Sequence, residues 1–332
     1  MAATYKATGI NLKGTPLGES DRLLTVLTRE HGLVRVVAPG ARKSNSKLGG
    51  RSALFVVNDL LISKGRSLDR IVQAETLESY PGLGQDLRKL TASQYLAELV
   101  LFQALSDHPQ EELFCLLNEH FTRLDDAPPE LAIACLTHAV YHFLATAGVP
   151  PQVHECCLTQ RSLMLEQPNT LQGAGFNVVA GGTVHLDTLE PVEGATAFAG
   201  ASGTRSPQFR SVTSPSSNLA SRSLIKKGDL PRAATGTASY APAPSIKPRG
   251  HLVTELSTLE LAILQCLAQP VLVRADGRIH LDSTPQIPEL LHPIPVSTWL
   301  KLEHVLRQYA EYQFDRSIRS ACLIDTCFST LS

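Results

Sequence analysis

No stretch of this 332-residue chain reaches the roughly 18 to 20 consecutive apolar residues that a membrane-spanning helix requires; the longest, such as Leu96 to Leu105, fall short. The N-terminus has no apolar core of the kind a signal peptide carries, so neither membrane spanning nor secretion is expected. Aromatic residues make up only 5%, and 30 Lys and Arg against 31 Asp and Glu leave a net charge of −1, with no single-sign excess to name a partner. Taken whole, that balance argues against nucleic acid. The seven cysteines, at 115, 135, 156, 157, 266, 322 and 327, are odd in number and irregularly spaced, as expected of reduced cytosolic thiols rather than a disulfide framework. Also missing are a Gly-x-x-x-x-Gly-Lys-Ser/Thr phosphate loop, a Gly-x-Ser-x-Gly nucleophile turn, a His-Glu-x-x-His pair and a dinucleotide fingerprint. The chain reads as a non-enzyme without a cofactor.

What is present is 43% apolar residues, enough for a globular chain of one large core or two to three domains, and a charge balance that breaks up by segment. Residues 1–80 hold 12 Lys and Arg against 7 Asp and Glu, whereas residues 81–196 hold 4 against 14. Residues 197–250 hold 8 against 1, and residues 251–332 hold 6 against 9. The near-zero total is thus a cancellation. It predicts a two-sided molecule, with a basic front segment and an acidic body free to meet other proteins.

The first segment reads as strands at Tyr5 to Leu12, Leu23 to Thr28, Leu33 to Ala38, Leu54 to Ile62 and Leu68 to Ala74. Turn signals stand between them at Gly14-Thr15-Pro16, His31-Gly32, Pro39-Gly40, Gly49-Gly50 and Lys64-Gly65. Five short strands in 1–80 fit a Greek-key barrel of the OB type; a five-stranded SH3-like barrel would read alike.

From Leu83 the period becomes helical. Tyr95, Leu99 and Phe102 form one stripe, Glu111 to Leu124 a second helix, and Ile133, Leu136, Val140, Phe143 and Leu144 a third, within a helical part at 81–150. Residues 151–196 read as an irregular, degenerate zinc-finger-like hairpin, 197–250 as a disordered basic insertion, and 251–332 as the helical domain resumed, with Trp299, Leu302, Leu306 and Tyr309 on one face, an α+β chain in all. In the insertion, 34 of 54 residues are Ala, Ser, Pro, Thr or Gly. It cannot bury enough apolar surface to offset roughly 1 to 2 kcal/mol per residue of backbone ordering.

The stretch from Pro39 to Arg51 places Arg42, Lys43, Lys47 and Arg51 in one flexible loop, with Arg35 on the strand before it and Lys64, Arg66 and Arg70 in the next turn. A cationic loop beside a cationic strand face can track phosphates, each neutralised phosphate releasing counterions. Because Tyr5, Phe55 and Tyr80 are the only aromatics here, binding should rest on the phosphate backbone more than on stacked bases. A metal reading falls on Cys156, Cys157 and His185, with His154 nearby, but the two cysteines are adjacent and Gln160 occupies the place of a second paired cysteine. No bound metal is expected. His138 and His142, four apart on a helix without an acidic ligand, read as a partly buried polar edge.

Several runs resemble the RecO family of bacterial DNA repair proteins. They are Gly18-Glu19-Ser20-Asp21-Arg22-Leu23-Leu24-Thr25-Val26-Leu27-Thr28-Arg29-Glu30-His31-Gly32, then Val37 to Lys43 with Ser46, and the Ala74-Glu75 that ends the barrel. Tyr95-Leu96-Ala97-Glu98-Leu99, Gly148-Val149-Pro150-Pro151, Phe176 with Gly181-Gly182, and Arg316-Ser317-Ile318-Arg319-Ser320 at the end of the last helix add to the likeness. Cys157-Leu158-Thr159-Gln160 and the long insertion look like cyanobacterial members. The resemblance covers nearly the whole chain outside 197–250.

The resemblance implies an OB-fold followed by a helical domain, and a recombination mediator without ATPase activity. Such a protein binds single- and double-stranded DNA, anneals strands, and works with RecR, and in many bacteria RecF, to load RecA onto DNA coated by single-strand-binding protein, whose acidic C-terminal tail it also binds. It places DNA contacts at Arg35, Arg42, Lys43, Lys47 and Arg51. It also implies a cytoplasmic, nucleoid-associated protein. Many members hold zinc through four paired cysteines; here Gln160 replaces one, and His185 and Thr188 stand where the second pair would be. Two other readings of the residues stay open: a bridging module whose barrel takes acidic peptides, and a metal-dependent hydrolase using 154–185.

Overall fold

Alternating burial in the first eighty residues resolves into five strands: β1 (Thr4–Leu17), β2 (Asp21–Thr28), β3 (Gly32–Ala38), β4 (Val57–Ser63) and β5 (Asp69–Glu78). The computed structural model describes residues 3–163, 173–188, 253–270 and 293–328, so the expectation for 197–250 lies outside the described residues. The strands close into a barrel in the order β1-β2-β3-β5-β4, with β4 returning to β1. An SH3-type meander would pair β3 with β4, whereas here β3 pairs with β5 in parallel, so the order is that of the OB type. Leu24, Val26, Val36, Leu60 and Ile62 point inward and fill the barrel.

One turn signal was misplaced. Gly14, Thr15 and Pro16 lie inside β1, opposite Leu24, Leu23 and Arg22 of β2, and the chain reverses over Gly18 to Ser20. Beyond Ile10, β1 pairs with β2 alone, which leaves an edge where a proline without a donor is tolerated.

The helices follow the 3.6 period: α1 (Leu87–Gln103), α2 (Glu111–Asp126) and α3 (Ala132–Thr146). Asp86 caps α1 by accepting from the N–H groups of Arg88 and Lys89. Residues 151–163 then turn against β6 (Ala174–Asn177) and β7 (Gly182–His185), and β8 (Val253–Leu256) adds a third strand to β6. The expected hairpin is therefore part of a three-stranded sheet, because β6 is buried on both edges and the second edge needs a ladder partner. A Cβ on Gly182 would collide with the Gln152 backbone, which is how closely 151–163 approaches this sheet. Helices α4 (Thr258–Cys266), α5 (Val296–Phe314) and α6 (Cys322–Phe328) complete the described chain. Ser257 and Glu260 form a capping box on α4, and Trp299, Leu302, Leu306 and Tyr309 on α5 are all buried as expected. Residues 316–320 are not the end of the last helix. Asp315 takes a left-handed conformation that stops α5, and 316–320 form the link to α6.

Barrel and helices share one core. Ile10, Leu12 and Leu27 on the outer face of β1 and β2 pack in the same cluster as Leu96, Leu99, Phe114 and Phe121, each such side chain worth roughly 1.5 to 3 kcal/mol when fully buried. Phe55 and Tyr80 meet Phe121 edge-on at 5.0 and 5.7 Å. Gly32, at φ 64°, pins the β2–β3 turn to the α1–α2 connection: a Cβ there would strike the carbonyls of Leu105 and His108, and Leu33 donates to Leu105 at 2.8 Å.

His138 is buried and His142 half-buried, and both are tied into a polar network. His138 Nε2 donates to the carbonyl of Gln269 at 2.7 Å, and His142 bonds to the backbone of Gln269 and Leu267, beyond the end of α4. His142 Nδ1 and His120 Nε2 share a hydrogen bond of 3.1 Å, and Arg123 faces His138 Nδ1 at 3.5 Å. Burial, reinforced by neighbouring imidazoles and Arg123, pushes all three rings down, His138 to about 3. Folded rings that resist protonation make stability full above the ordinary histidine range and decline as pH falls below about 6.5. Urea unfolding midpoints should therefore drop between pH 7 and 5, and His138→Gln should shallow that drop.

On α5, buried Glu303 pairs with Arg307 at 2.9 Å, and Arg307 reaches Asp325 of α6 at 2.9 Å. Burial raises the Glu303 carboxyl to about 7, against the pull of Arg307. Arg307→Met should cost about 3 to 5 kcal/mol in urea denaturation, since it strands a buried acid. Adding Glu303→Leu should recover much of that loss.

Candidate nucleic-acid interface

The connection from β3 to β4 is a chain of hydrogen-bonded turns rather than a flexible loop. Successive bonds run from Lys43 N to Gly40 O, Ser46 N to Lys43 O, Gly49 N to Ser46 O and Ser52 N to Leu48 O. Two buried amides hold its far end: Asn11 Nδ2 donates to the carbonyls of Arg51 and Ala53, both at 2.8 Å, and Asn58 Nδ2 donates to Arg51 at 3.0 Å. Phe55, at φ 64°, then drops its ring onto α2. At the near end Gly40 N–H donates to Asp21 Oδ1 at 2.8 Å, Arg42 N–H to Ser20 O at 2.9 Å, and the Arg42 guanidinium to Gly18 O at 3.0 Å. The loop thus lies on the β1–β2 turn.

Arg42, Lys43 and Lys47 are exposed along this loop. Arg51 is half-buried in a turn of 3-10 helix and donates to Lys47 O at 3.3 Å. Arg35 stands exposed on the outer face of β3, in the cross-strand row Lys13, Thr25, Arg35. Arg70 is a strand residue of β5, not part of the turn, because β5 begins at Asp69 to pair with Val36 and Val37. Its row is Thr15, Leu23, Val37, Arg70, next to that of Arg35 on the same face. Asp21 sits where loop and strands meet. The Gly40 N–H, the Ser20 hydroxyl and the charges of Arg70 and Lys43 hold its carboxyl below the usual range. Lys64 and Arg66 occupy the separate β4–β5 turn, with Lys64 5.8 Å from the Tyr5 ring.

Two cations escaped the sequence reading. Arg22 shares the inward register of Leu24 and Val26, which places it at the barrel mouth, where it donates to Ser52 O at 2.8 Å and Ser52 Oγ at 3.1 Å. The alternation of β2 carried that signal. With Arg42 it lines a cleft of about 230 Å³ whose other walls are Gly14, Pro16, Ser52 and Leu54. Lys13 shares the row of Arg35, but the misread turn at Gly14 hid the pairing.

The aromatics are engaged. Phe55 and Tyr80 meet Phe121 edge-on, and Tyr5 meets His31 at 4.8 Å while its hydroxyl donates to Asp69 at 2.7 Å. What this face offers is charge and backbone. In the region read for metal, Cys156 Sγ accepts the His185 N–H at 3.3 Å. Burial would raise this thiol, but hydrogen bonds from Thr159 and from backbone groups of His185 and Leu158 outweigh it and hold it low, whereas burial raises Cys157. His154 is exposed, and Gln160 sits left-handed at φ 57° at the tip of the turn. Among the described residues no three His, Cys, Asp or Glu are placed to hold a metal ion. Among those residues, too, no helix is long and apolar enough to cross a membrane.

Comparison with known proteins agrees with this architecture. Residues 1–80 match the family model "Recombination protein O N terminal" and residues 84–182 match "Recombination protein O C terminal". The chain is similar to the DNA repair protein RecO of Nostoc sp. strain PCC 7120, 45% identical with 99% of this chain and 98% of that protein covered. It is 46% identical to the RecO of Acaryochloris marina, covering 100% and 97%, and 37% identical to that of Gloeobacter violaceus, covering 99% and 95%. The chain belongs to the RecO family of DNA repair proteins.

Proposed function

We propose that this chain is a DNA-binding recombination mediator, which anneals single strands and helps load RecA onto DNA coated by single-strand-binding protein. The observation that supports it is the gathering of Arg42, Lys43, Arg22 and Arg70 around the barrel mouth, beside Arg35 on the adjoining strand face. Arg22 comes from β2, Arg70 from β5, and Arg42 and Lys43 from the β3–β4 loop, which is held by buried amides. A phosphate run laid there would meet preformed cations and little that reads base identity, so single strands and duplexes are both substrates.

Arg35, Arg42, Lys43, Lys47 and Arg51 are the proposed loop and strand contacts, with Lys64, Arg66 and Arg70 flanking them. In this reading the chain acts without nucleotide hydrolysis and without a cofactor, in the cytoplasm at the nucleoid. Its partners are RecR, the acidic C-terminal tail of single-strand-binding protein and, indirectly, RecF and RecA.

Binding of a labelled oligonucleotide, followed by anisotropy, should weaken steeply with salt. Arg42→Ala with Lys43→Ala should lower the log–log slope by about 1.4 to 1.8, at ~0.7 to 0.9 per phosphate. The same double variant should slow annealing of complementary strands coated by single-strand-binding protein. Salt-independent binding by the unaltered chain would sink the proposal.

A further inference from the structure

The cleft at Arg22 and Arg42 does not end on the barrel. Its walls Gly14 and Leu54 also line a larger groove of about 740 Å³, which runs along β1 to α1 and the α5–α6 link. Leu12, Leu54, Ala97, Leu101 and Phe102 form its floor, and Lys13, Arg316 and Arg319 stand exposed at its rim.

Two runs more than 200 residues apart build the far side. Glu98 of α1 accepts the N–H of Arg319 at 3.1 Å and the N–H and hydroxyl of Ser320 at 2.9 and 2.7 Å. Glu311 accepts the N–H of Ile318 at 2.8 Å, and the buried Ile318 side chain anchors the link from below. The acid of the groove is therefore committed to holding the link. The link in turn presents its arginines outward, with Arg316 5.5 Å over the Phe102 ring. No ion pair among the described residues engages Lys13, Arg316 or Arg319.

We infer that this junction groove is a second nucleic-acid subsite, which takes a single strand leaving the basic loop. Lys13, Arg316 and Arg319 meet its phosphates, and Leu54 with the Phe102–Arg316 pair meets its bases. The inference rests on the proposed DNA-binding reading and extends it. Charge complementarity supports a polyanion, and continuity through Gly14 and Leu54 supports one long enough to occupy both clefts. An apolar floor suits a single strand, whose base faces are open, and gives nothing to a duplex.

The test uses the full chain and labelled oligothymidylate, with duplex of equal length beside it. Arg316→Gln with Arg319→Gln and Lys13→Gln should reduce single-strand affinity roughly tenfold in low salt and lower the slope by about two, at ~0.7 per single-strand phosphate. Duplex affinity should fall less. Leu54→Asp, a change at an exposed position, should reproduce the single-strand loss with an unchanged thermal unfolding profile. If Arg42→Ala with Lys43→Ala weakens binding while the groove variants leave affinity and slope untouched, the inference is overturned and the loop reading stands. If the unaltered chain binds no DNA, the loop reading itself has failed. If the groove variants lose binding of polyglutamate while keeping that of oligothymidylate, the groove is an acidic-peptide site and the inference is wrong.

Discussion

The burial of Ile10, Leu12 and Leu27 against the helices is the contact on which the rest of the molecule depends. These side chains lie on the outside of the barrel, where a free-standing domain would meet water. Covering them with α1 and α2 makes barrel and helices parts of one core, so neither can turn without exposing apolar surface. The Gly32 turn and the Phe55 ring lock the same junction from two other sides. A cation on β1 and a cation after α5 thereby keep a fixed separation.

That constraint changes how the charge is distributed. By segment, the chain divides into a basic barrel and acidic helices, and the division predicts two faces with different partners. In three dimensions Arg316 and Arg319 leave the acidic segment to stand beside Lys13. The acids of the helices are partly spent on structure: Glu98 holds the link, Glu311 holds Ile318, and Glu303 is buried against Arg307. Net charge counts such groups as surface, although hydrogen bonding has taken them out of the field that a ligand would meet.

The strands were legible because each has an inward and an outward row, and period-two alternation survives in the sequence. The helical stripes were legible for the same reason at a period of 3.6. Gly14-Thr15-Pro16 misled, since those residues are turn formers by local chemistry, yet ladder bonds to β2 and a free opposite edge let them extend the strand. β8 was invisible: four residues, one of them buried, do not make a period. The basic loop could be seen as charge but not as an ordered chain, because its order comes from Asn11 and Asn58, which are ordinary polar residues until their amides meet Arg51 O.

Locally encoded features, then, were determined by the sequence alone: five strands, the helical stripes of α1, α2, α3 and α5, the cationic run from Arg42 to Arg51, and the likeness to the RecO family. Each depends on residues within a few positions of one another. Tertiary structure alone decided the OB-type strand order, the histidine network that closes on Gln269, the placing of Arg22 at the cleft, and the clasp of Glu98 on Arg319 and Ser320. These pair groups far apart along the chain, and such pairs leave no periodic trace. Hydrogen-bond satisfaction and burial select them only once the core has closed.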